Sequence, residues 1–225
     1  VSAGCLISEE SFLESSRTLL DYLKIKGSWG KLGNDQIGSR FLYIARYQTV
    51  ANDYAFGNSI VPGLNPTAAN PLVGWETSTK SDVGVEGRIM QGLFGFEFDW
   101  FKEDRNKILT TRYAQVPSSY GGPLPAENIG SVVNKGIEIT LTHTKNISRD
   151  LSYNIRANMT VAKNKILYAA EAVNVPAAFK VVGHPIGSYY GYRATGIIKD
   201  QAALSSYNVT TAYPVGLGDI MYQDV

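Results

Sequence analysis

What this 225-residue chain has little of narrows its function first. A single cysteine, Cys5, excludes an internal disulfide and any multi-cysteine metal site. The two histidines, His143 and His184, have no His or Cys at ligand spacing beside them, so no metal centre is expected. Charge of one sign is also lacking: 21 basic and 20 acidic residues are spread along the chain for a net +1, which gives no electrostatic case for nucleic acid. No stretch reaches the run of about 18 apolar residues that a membrane-crossing helix needs. Catalytic patterns are missing too. Ser, His and Asp occur without a G-x-S-x-G element. Gly27, Gly30 and Gly33 lack the close first pair of a dinucleotide loop and run into loop sequence rather than a helix. Glu97, Asp99 and Glu103 alternate along one extended stretch, which spaces them as a solvated ladder rather than as a glycosidase pair. Neither an enzyme nor a cofactor site is expected.

The chain is 44% hydrophobic and its mean hydropathy is −0.11, values typical of a globular protein. Its bias lies in 14 Tyr, 8 Phe, 3 Trp and 22 Gly, with few Leu-rich helical stretches. The arrangement of the aromatics is the strongest signal. Successive side chains of an extended chain point to opposite faces, so residues 93–104 place Phe94, Phe96, Phe98 and Trp100 on one face and Glu97, Asp99 and Glu103 on the other. The pattern returns at 151–161, where Tyr153, Ile155 and Met159 oppose Asn154, Arg156 and Asn158. An apolar exterior against a wet interior is the pattern of a transmembrane β-barrel, which needs no continuous apolar run.

Three further strands fit the same alternation. Residues 22–30 set Leu23, Ile25 and Trp29 against Lys24 and Lys26, and residues 77–89 set Val83, Val85 and Ile89 against Asp82, Glu86 and Arg88. A fourth strand in chain order sets Ile137, Ile139 and Leu141 against Glu138. Residues 9–23 are expected to start as a short amphipathic helical turn, and 31–75 as a large loop with one extended segment at 41–47. A second long loop is expected over 105–131, and irregular loop structure from 164 onward. Long loops then alternate with short turns at 90–92 and 146–150, the asymmetry of outer-membrane barrels with extracellular loops and periplasmic turns. Lys135 falls on the apolar face, where it either snorkels or is carried to the other face by a bulge at Gly136. Five strands cannot close, since the smallest such barrels have about eight. The fold class expected is all-β, a partial transmembrane antiparallel barrel with long extracellular loops, spanning residues 1–225. The opening Val1-Ser2-Ala3-Gly4-Cys5 faintly resembles a lipoprotein cleavage box, but no basic or hydrophobic segment precedes it. Cys5 is instead expected to be half-buried, and the abrupt start suggests an internal fragment of a longer chain.

Specific blocks go beyond pattern. Leu23-Lys24-Ile25-Lys26-Gly27-Ser28-Trp29-Gly30-Lys31-Leu32-Gly33-Asn34 resembles the "LKxRxSxGxxGN" segment of the SusC/RagA family of TonB-linked outer-membrane transporters. Asn70-Pro71-Leu72 with Trp75-Glu76 resembles its "NPxLxWE", and Asn128-Ile129-Gly130 with Val133-Asn134-Lys135-Gly136-Ile137-Glu138 its "NxGxVxNKGxE". Gly183–Tyr192 resembles "GxPxGxFYGY", and Gly218–Asp224 resembles "GDIxYxD". The family's "NGDG" stretch, a possible calcium-like loop, would begin just after Asp224. The resemblance implies a barrel of about 22 strands, import of oligosaccharides or peptides across the outer membrane of a Gram-negative bacterium, a SusD-like lipoprotein lid, and drive by TonB through an N-terminal region and plug domain not found here.

On this reading the candidate lipid-facing residues are Trp29, Val83, Val85, Phe94, Phe96, Phe98, Trp100, Ile137, Ile139, Leu141, Tyr153, Ile155 and Met159. Candidate lumen-facing residues are Lys24, Lys26, Asp82, Glu86, Arg88, Glu97, Asp99, Glu138, Asn154, Arg156 and Asn158. Tyr43, Tyr47, Tyr54 and Phe56 in the first loop, and Tyr189, Tyr190 and Tyr192 later, are candidates to face a lid protein or substrate. Packing of the long loops on themselves is the simpler expectation for them. The rival class is a soluble β-sandwich carbohydrate-binding or adhesion module, whose strands also alternate.

Overall fold

The computed structural model describes residues 1–16, 19–36, 38, 40–120, 122–207, 209 and 214–223. Asp224, the last residue of the Gly218–Asp224 motif, lies outside them. The chain divides into two units, Val1–Ile186 and Gly187–Val225. In the first, the strands in chain order are β1 (Ser2–Leu6), β2 (Leu20–Asn34), β3 (Tyr47–Phe56), β4 (Ser59–Pro66), β5 (Glu76–Ile89), β6 (Phe94–Thr111), β7 (Ala126–Asn146) and β8 (Ser152–Tyr168). Six of them form one antiparallel sheet in the order β1-β2-β5-β6-β7-β8, and β3 and β4 pair as a separate hairpin. The second unit holds β9 (Ala194–Ile197), α1 (Gln201–Ser206) and β10 (Ile220–Tyr222), with β9 and β10 paired antiparallel.

The six-stranded sheet is open, with β1 and β8 at its edges. Among the described residues of this unit no second layer covers it. A sandwich buries one face of each sheet in a common core, yet here many large apolar residues of β2 and β5–β8 stay exposed, from 39% for Trp100 to 60% for Ile155. Among the described residues the apolar side chains withdrawn from solvent are Val132 and Ile198. This is part of a barrel wall and not the sandwich, and its strands of 14 to 21 residues in β5–β8 exceed the usual globular length of about 3–10.

All five long strands expected from alternation are present, and each extends further than the alternation shows. β6 runs on to Thr111 and β7 begins at Ala126, so the second long loop is 112–125 rather than 105–131. The cause is local. Register shifts between Arg105, Ile108 and Leu109, with Lys107 at φ 59°, and again between Ser131 and Val132. A bulge interrupts the period of two without ending the pairing. β8 likewise continues to Tyr168, past the expected end of regular structure at 164. The expected helical turn at 9–23 is 3₁₀, over Ile7–Glu9 and Ser11–Ser16, and β2 has begun by Leu20.

The large first loop is the main correction. The expected segment 41–47 is extended only from Tyr47, where β3 begins: Phe41 has φ 60° and Ile44 N donates to the Phe41 carbonyl at 3.0 Å, a tight turn over 41–44. The extended part is the β3–β4 hairpin, closed by the two-residue turn Gly57-Asn58 with Gly57 at φ 59°. Pro62 and Pro66 inside β4 are what make this stretch read as loop, and a two-stranded hairpin tolerates them because its strands have open edges. A shift between Val50 and Tyr54 brings Asp53 over Gly63, where any Cβ would collide with the Asp53 carboxylate, and Asn65 Nδ2 donates to that carboxylate at 3.1 Å. Cys5 is exposed in edge strand β1 rather than half-buried, and all five residues of that strand are exposed.

Candidate functional site

The register assembles two different surfaces from alternate residues of the same strands. On the polar face, Lys26, Gly84, Asp99, Glu138 and Thr160 lie in one cross-strand row, and Lys24, Glu86, Glu97, Thr140 and Asn158 in the next. Lys26 Nζ lies 2.6 Å from Glu97 Oε1 and 2.9 Å from Asp99 Oδ1, and Lys24 lies 3.4 Å from Glu86. Tyr22 donates its hydroxyl to Glu86 Oε1 at 2.6 Å, and the Arg88 guanidinium sits 4.9 Å over the Tyr22 ring. Gly84 makes the central contact possible: a Cβ there would strike the Asp99 carboxylate and lie 2.7 Å from Lys26 Cε. Towards the loops, Ser78 donates to Glu103 at 2.6 Å and Lys80 lies 3.8 Å from the same carboxylate. Half-exposed ion pairs of this kind are worth about 0–1 kcal/mol each. Their consequence is a wall of fixed, sign-balanced charge. Asp82, Arg156 and Asn154 share this face.

On the opposite face Ile25, Val85, Phe98, Ile139 and Met159 stand directly across from one another on five strands. The next row towards the loops is Gly27, Val83, Trp100, Ile137 and Val161, and the next towards the turns is Leu23, Gly87, Phe96, Leu141 and Ala157. The Phe96 ring lies where a Gly87 side chain would stand. At the turn end His143 is held between Phe94 and Tyr153, with ring centroids 4.6 Å and 5.4 Å apart, so aromatics edge the apolar band there as Trp29 and Trp100 do near the loop end. Ile155 pairs with His143 on this face. The register runs unbroken through Gly136, so no bulge turns Lys135 away, and it stays on the apolar face, across from Lys102 and Lys163. Gly136 is bare for another reason: the Phe101 ring and the backbone of β8 fill the space.

Motifs far apart in sequence meet at the loop end. Asn128 Oδ1 accepts from Gly74 N at 2.8 Å while its Nδ2 donates to the carbonyls of Gly74 and Lys107, both at 2.8 Å. Asn70 donates from Nδ2 to the Ala126 carbonyl at 2.8 Å and accepts from Leu72 N at 2.9 Å, an Asx turn. Arg112 forks onto Glu127 with both distances 3.0 Å, which raises the guanidinium pKa further and fixes it as a cation. The sequence names these asparagines without their partners, because the partners are backbone groups about 20 to 56 residues away.

The candidate contact aromatics do not form loop cores. Tyr43, Tyr47, Tyr54 and Phe56 are all more than half exposed, Tyr47 at 76%. Tyr43 meets Phe41 edge to face, with ring centroids 6.2 Å apart, and Arg46 lies 5.0 Å over the Phe41 ring. In the second unit Tyr189 and Tyr192 are almost fully exposed, and Tyr192 leans on Tyr222 at 5.5 Å. That unit is organised by Ile198, which is fully buried, by the Asp200 carboxylate capping α1 through Ala203 N at 2.8 Å, and by the Tyr207 hydroxyl accepting from Tyr222 N at 3.0 Å.

Known proteins are similar to this chain in sequence and fold. A family model described as TonB dependent receptor-like, beta-barrel matches residues 18–224. The TonB-dependent receptor SusC of Bacteroides thetaiotaomicron is 29% identical over 212 residues, covering 86% of this chain and 21% of that protein. TonB-dependent receptor P3 of Formosa agariphila is 27% identical over 205 residues, covering 85% of this chain and 20% of that protein. Among solved structures, the RagAB peptide importer in its closed-closed state superposes with a TM-score of 0.69 at 23% identity, over 87% of this chain and 21% of that one. Its open-open state gives 0.67 at 20% identity, over 100% of this chain and 24% of that one. The chain thus spans about a fifth of the curated relatives it matches.

Proposed function

We propose, given that this chain belongs to the TonB dependent receptor-like β-barrel family, that it is a stretch of barrel wall and outer loops of a SusC/RagA-like importer, and that the whole protein moves oligosaccharides or peptides across the outer membrane of a Gram-negative bacterium. The observation that carries the reading is the two-faced single layer. A sheet with Ile25, Val85, Phe98, Ile139 and Met159 in one row, none of them buried, and Lys26, Glu97 and Asp99 paired on the reverse suits a boundary between hydrocarbon and a water-filled lumen. The apolar face meets lipid and the polar face lines the lumen. The missing strands close the open edges, because backbone groups left unpaired in a bilayer cost several kcal/mol each.

The exposed aromatics of the β3–β4 hairpin and of residues 189–192 are candidate contacts for a SusD-like lipoprotein lid or for the incoming substrate. Tyrosine offers a rigid amphipathic surface for either, and no catalytic residue or cofactor is required. Drive by TonB would act through parts of the protein beyond this chain. The test is uptake by cells carrying the full-length gene. Labelled oligosaccharide or peptide should be taken up only when both the transporter and TonB are present, and the transporter should co-purify with its lipoprotein. Uptake that persists without TonB would overturn the reading.

A further inference from the structure

One feature of the apolar face is not explained by a plain hydrocarbon contact. Moving towards the long loops, the row after Gly27, Val83, Trp100, Ile137 and Val161 is Trp29, Ser81, Lys102, Lys135 and Lys163, and the row after that contains Lys31, Asp104 and Lys165. Lysine therefore faces lysine across β6–β7 and again across β7–β8. Directly opposed like charges destabilise a sheet, and cations on a lipid face add a further cost near the midplane. Lys102 is relieved by Asp104 at 2.8 Å. No described carboxylate pairs with Lys135, Lys163 or Lys165, and all three are exposed.

Snorkelling would account for one lysine at this depth. It does not account for three on adjacent strands, on a face where Asp104 is the only carboxylate of the continuous register among the described residues, while the reverse face mixes both signs. Facing positions on adjacent strands stand about 5 Å apart, and Lys165 lies about 7 Å beyond Lys163 on the same face. The ammonium groups can thus converge on one anion. On the barrel reading, the depth of Lys135 and Lys163, level with Trp29 and one row beyond Trp100, is that of headgroups.

We propose that Lys135, Lys163 and Lys165, with Lys102 beside them, form a binding site for the phosphate-bearing headgroup of an outer-leaflet glycolipid. The site rests on the barrel reading above, since it takes this face to be the lipid face. Lysine suits it as a compact point charge on a flexible stem, able to follow a phosphate that is anchored by its own acyl chains.

The test uses the full-length transporter in detergent micelles, with monophosphoryl lipid A as probe and bound lipid counted by native mass spectrometry. The wild type should retain the probe, and the K135Q/K163Q/K165Q variant should lose at least tenfold in affinity. K135R/K163R/K165R should bind as wild type, because charge is kept, and so should K145Q, which removes a lysine from the opposite end of the same face. Dephosphorylated lipid A should bind weakly to all, and free inorganic phosphate at the same concentration should not displace the probe. Equal binding by the glutamine variant, or by the dephosphorylated lipid to wild type, would overturn the proposal. Displacement by inorganic phosphate would do so as well, by showing a free-anion site. A spin label at Val161 separates the two levels of inference. Access to oxygen but not to a polar nickel chelate upholds the lipid-facing assignment whatever the lysines do, and the reverse would sink both.

Discussion

On the polar face of β2 and β5–β8, Lys26 sits between Glu97 and Asp99, and Lys24 sits beside Glu86. One residue away along the same strands, Ile25, Val85, Phe98, Ile139 and Met159 line up, and no described carboxylate of the register appears on that side before Asp104. The backbone hydrogen bonds are common to both faces. Among the described residues no second layer of protein covers either face. On the reading proposed above, the face that carries opposed charges in fixed pairs borders water and polar solutes, and the one that leaves phenylalanine and methionine uncovered borders hydrocarbon.

The sharpest way to break the comparison is to exchange the two faces at one step of β6 in the full-length protein. Phe96→Arg should largely abolish assembly, since a cation facing lipid near the midplane costs about 2–4 kcal/mol. Glu97→Arg should assemble, because Lys26 keeps Asp99 as a partner. The amount of folded, heat-modifiable barrel in outer membranes is the measurement. If Glu97→Arg were the damaging change, the face assignment would be inverted throughout, as a one-residue slip does.

Next in size is the rim, where the faces end and the loops are tied down. Asn128→Ala strands the amide and carbonyl of Gly74 and the carbonyl of Lys107, with a cost of about 1–3 kcal/mol for the buried groups among them. Faster proteolysis within residues 60–75 should report it, with barrel assembly retained. Glycines on the two faces offer a finer contrast. Gly84→Val forces apart the Asp99–Lys26 pair and should destabilise by about 1–3 kcal/mol. Gly87→Val meets only the far edge of the Phe96 ring, which can tilt away, so its urea midpoint should fall less. Smallest for stability is Lys80→Gln, whose partner Glu103 keeps its bond from Ser78: about 0–1 kcal/mol, with no change in assembly. Replacing Tyr189, Tyr190 and Tyr192 together by Ala should likewise leave assembly unchanged while weakening uptake or retention of the lipoprotein, and unaltered uptake and retention would remove them from the contact surface.

Legibility in the sequence followed the period of two. Phe94, Phe96, Phe98 and Trp100 against Glu97 and Asp99 were readable because nothing interrupts the alternation between 94 and 100. Beyond Arg105 a bulge and the left-handed Lys107 break the phase, and the remaining six residues of the strand read as loop. The β3–β4 hairpin was hidden in the same way by Pro62, Pro66 and the shift at Val50–Tyr54. Lys135 was visible as an oddity, but its neighbours Lys102 and Lys163 are 33 and 28 residues away and belong beside it only in the register.

The sequence by itself therefore determined the five long strands, their two chemically distinct sides, the alternation of long loops with short turns, and the family blocks. Each of these is local, fixed by side-chain direction along an extended backbone and by residues adjacent in the chain. Tertiary structure alone decided which residues stand opposite one another: that Lys26 reaches Glu97 and Asp99 over a bare Gly84, that Asn128 holds Gly74, and that three lysines share a row. Those outcomes depend on register, which is set by cross-strand hydrogen bonds, turn lengths and bulges acting over tens of residues, and no one segment contains them.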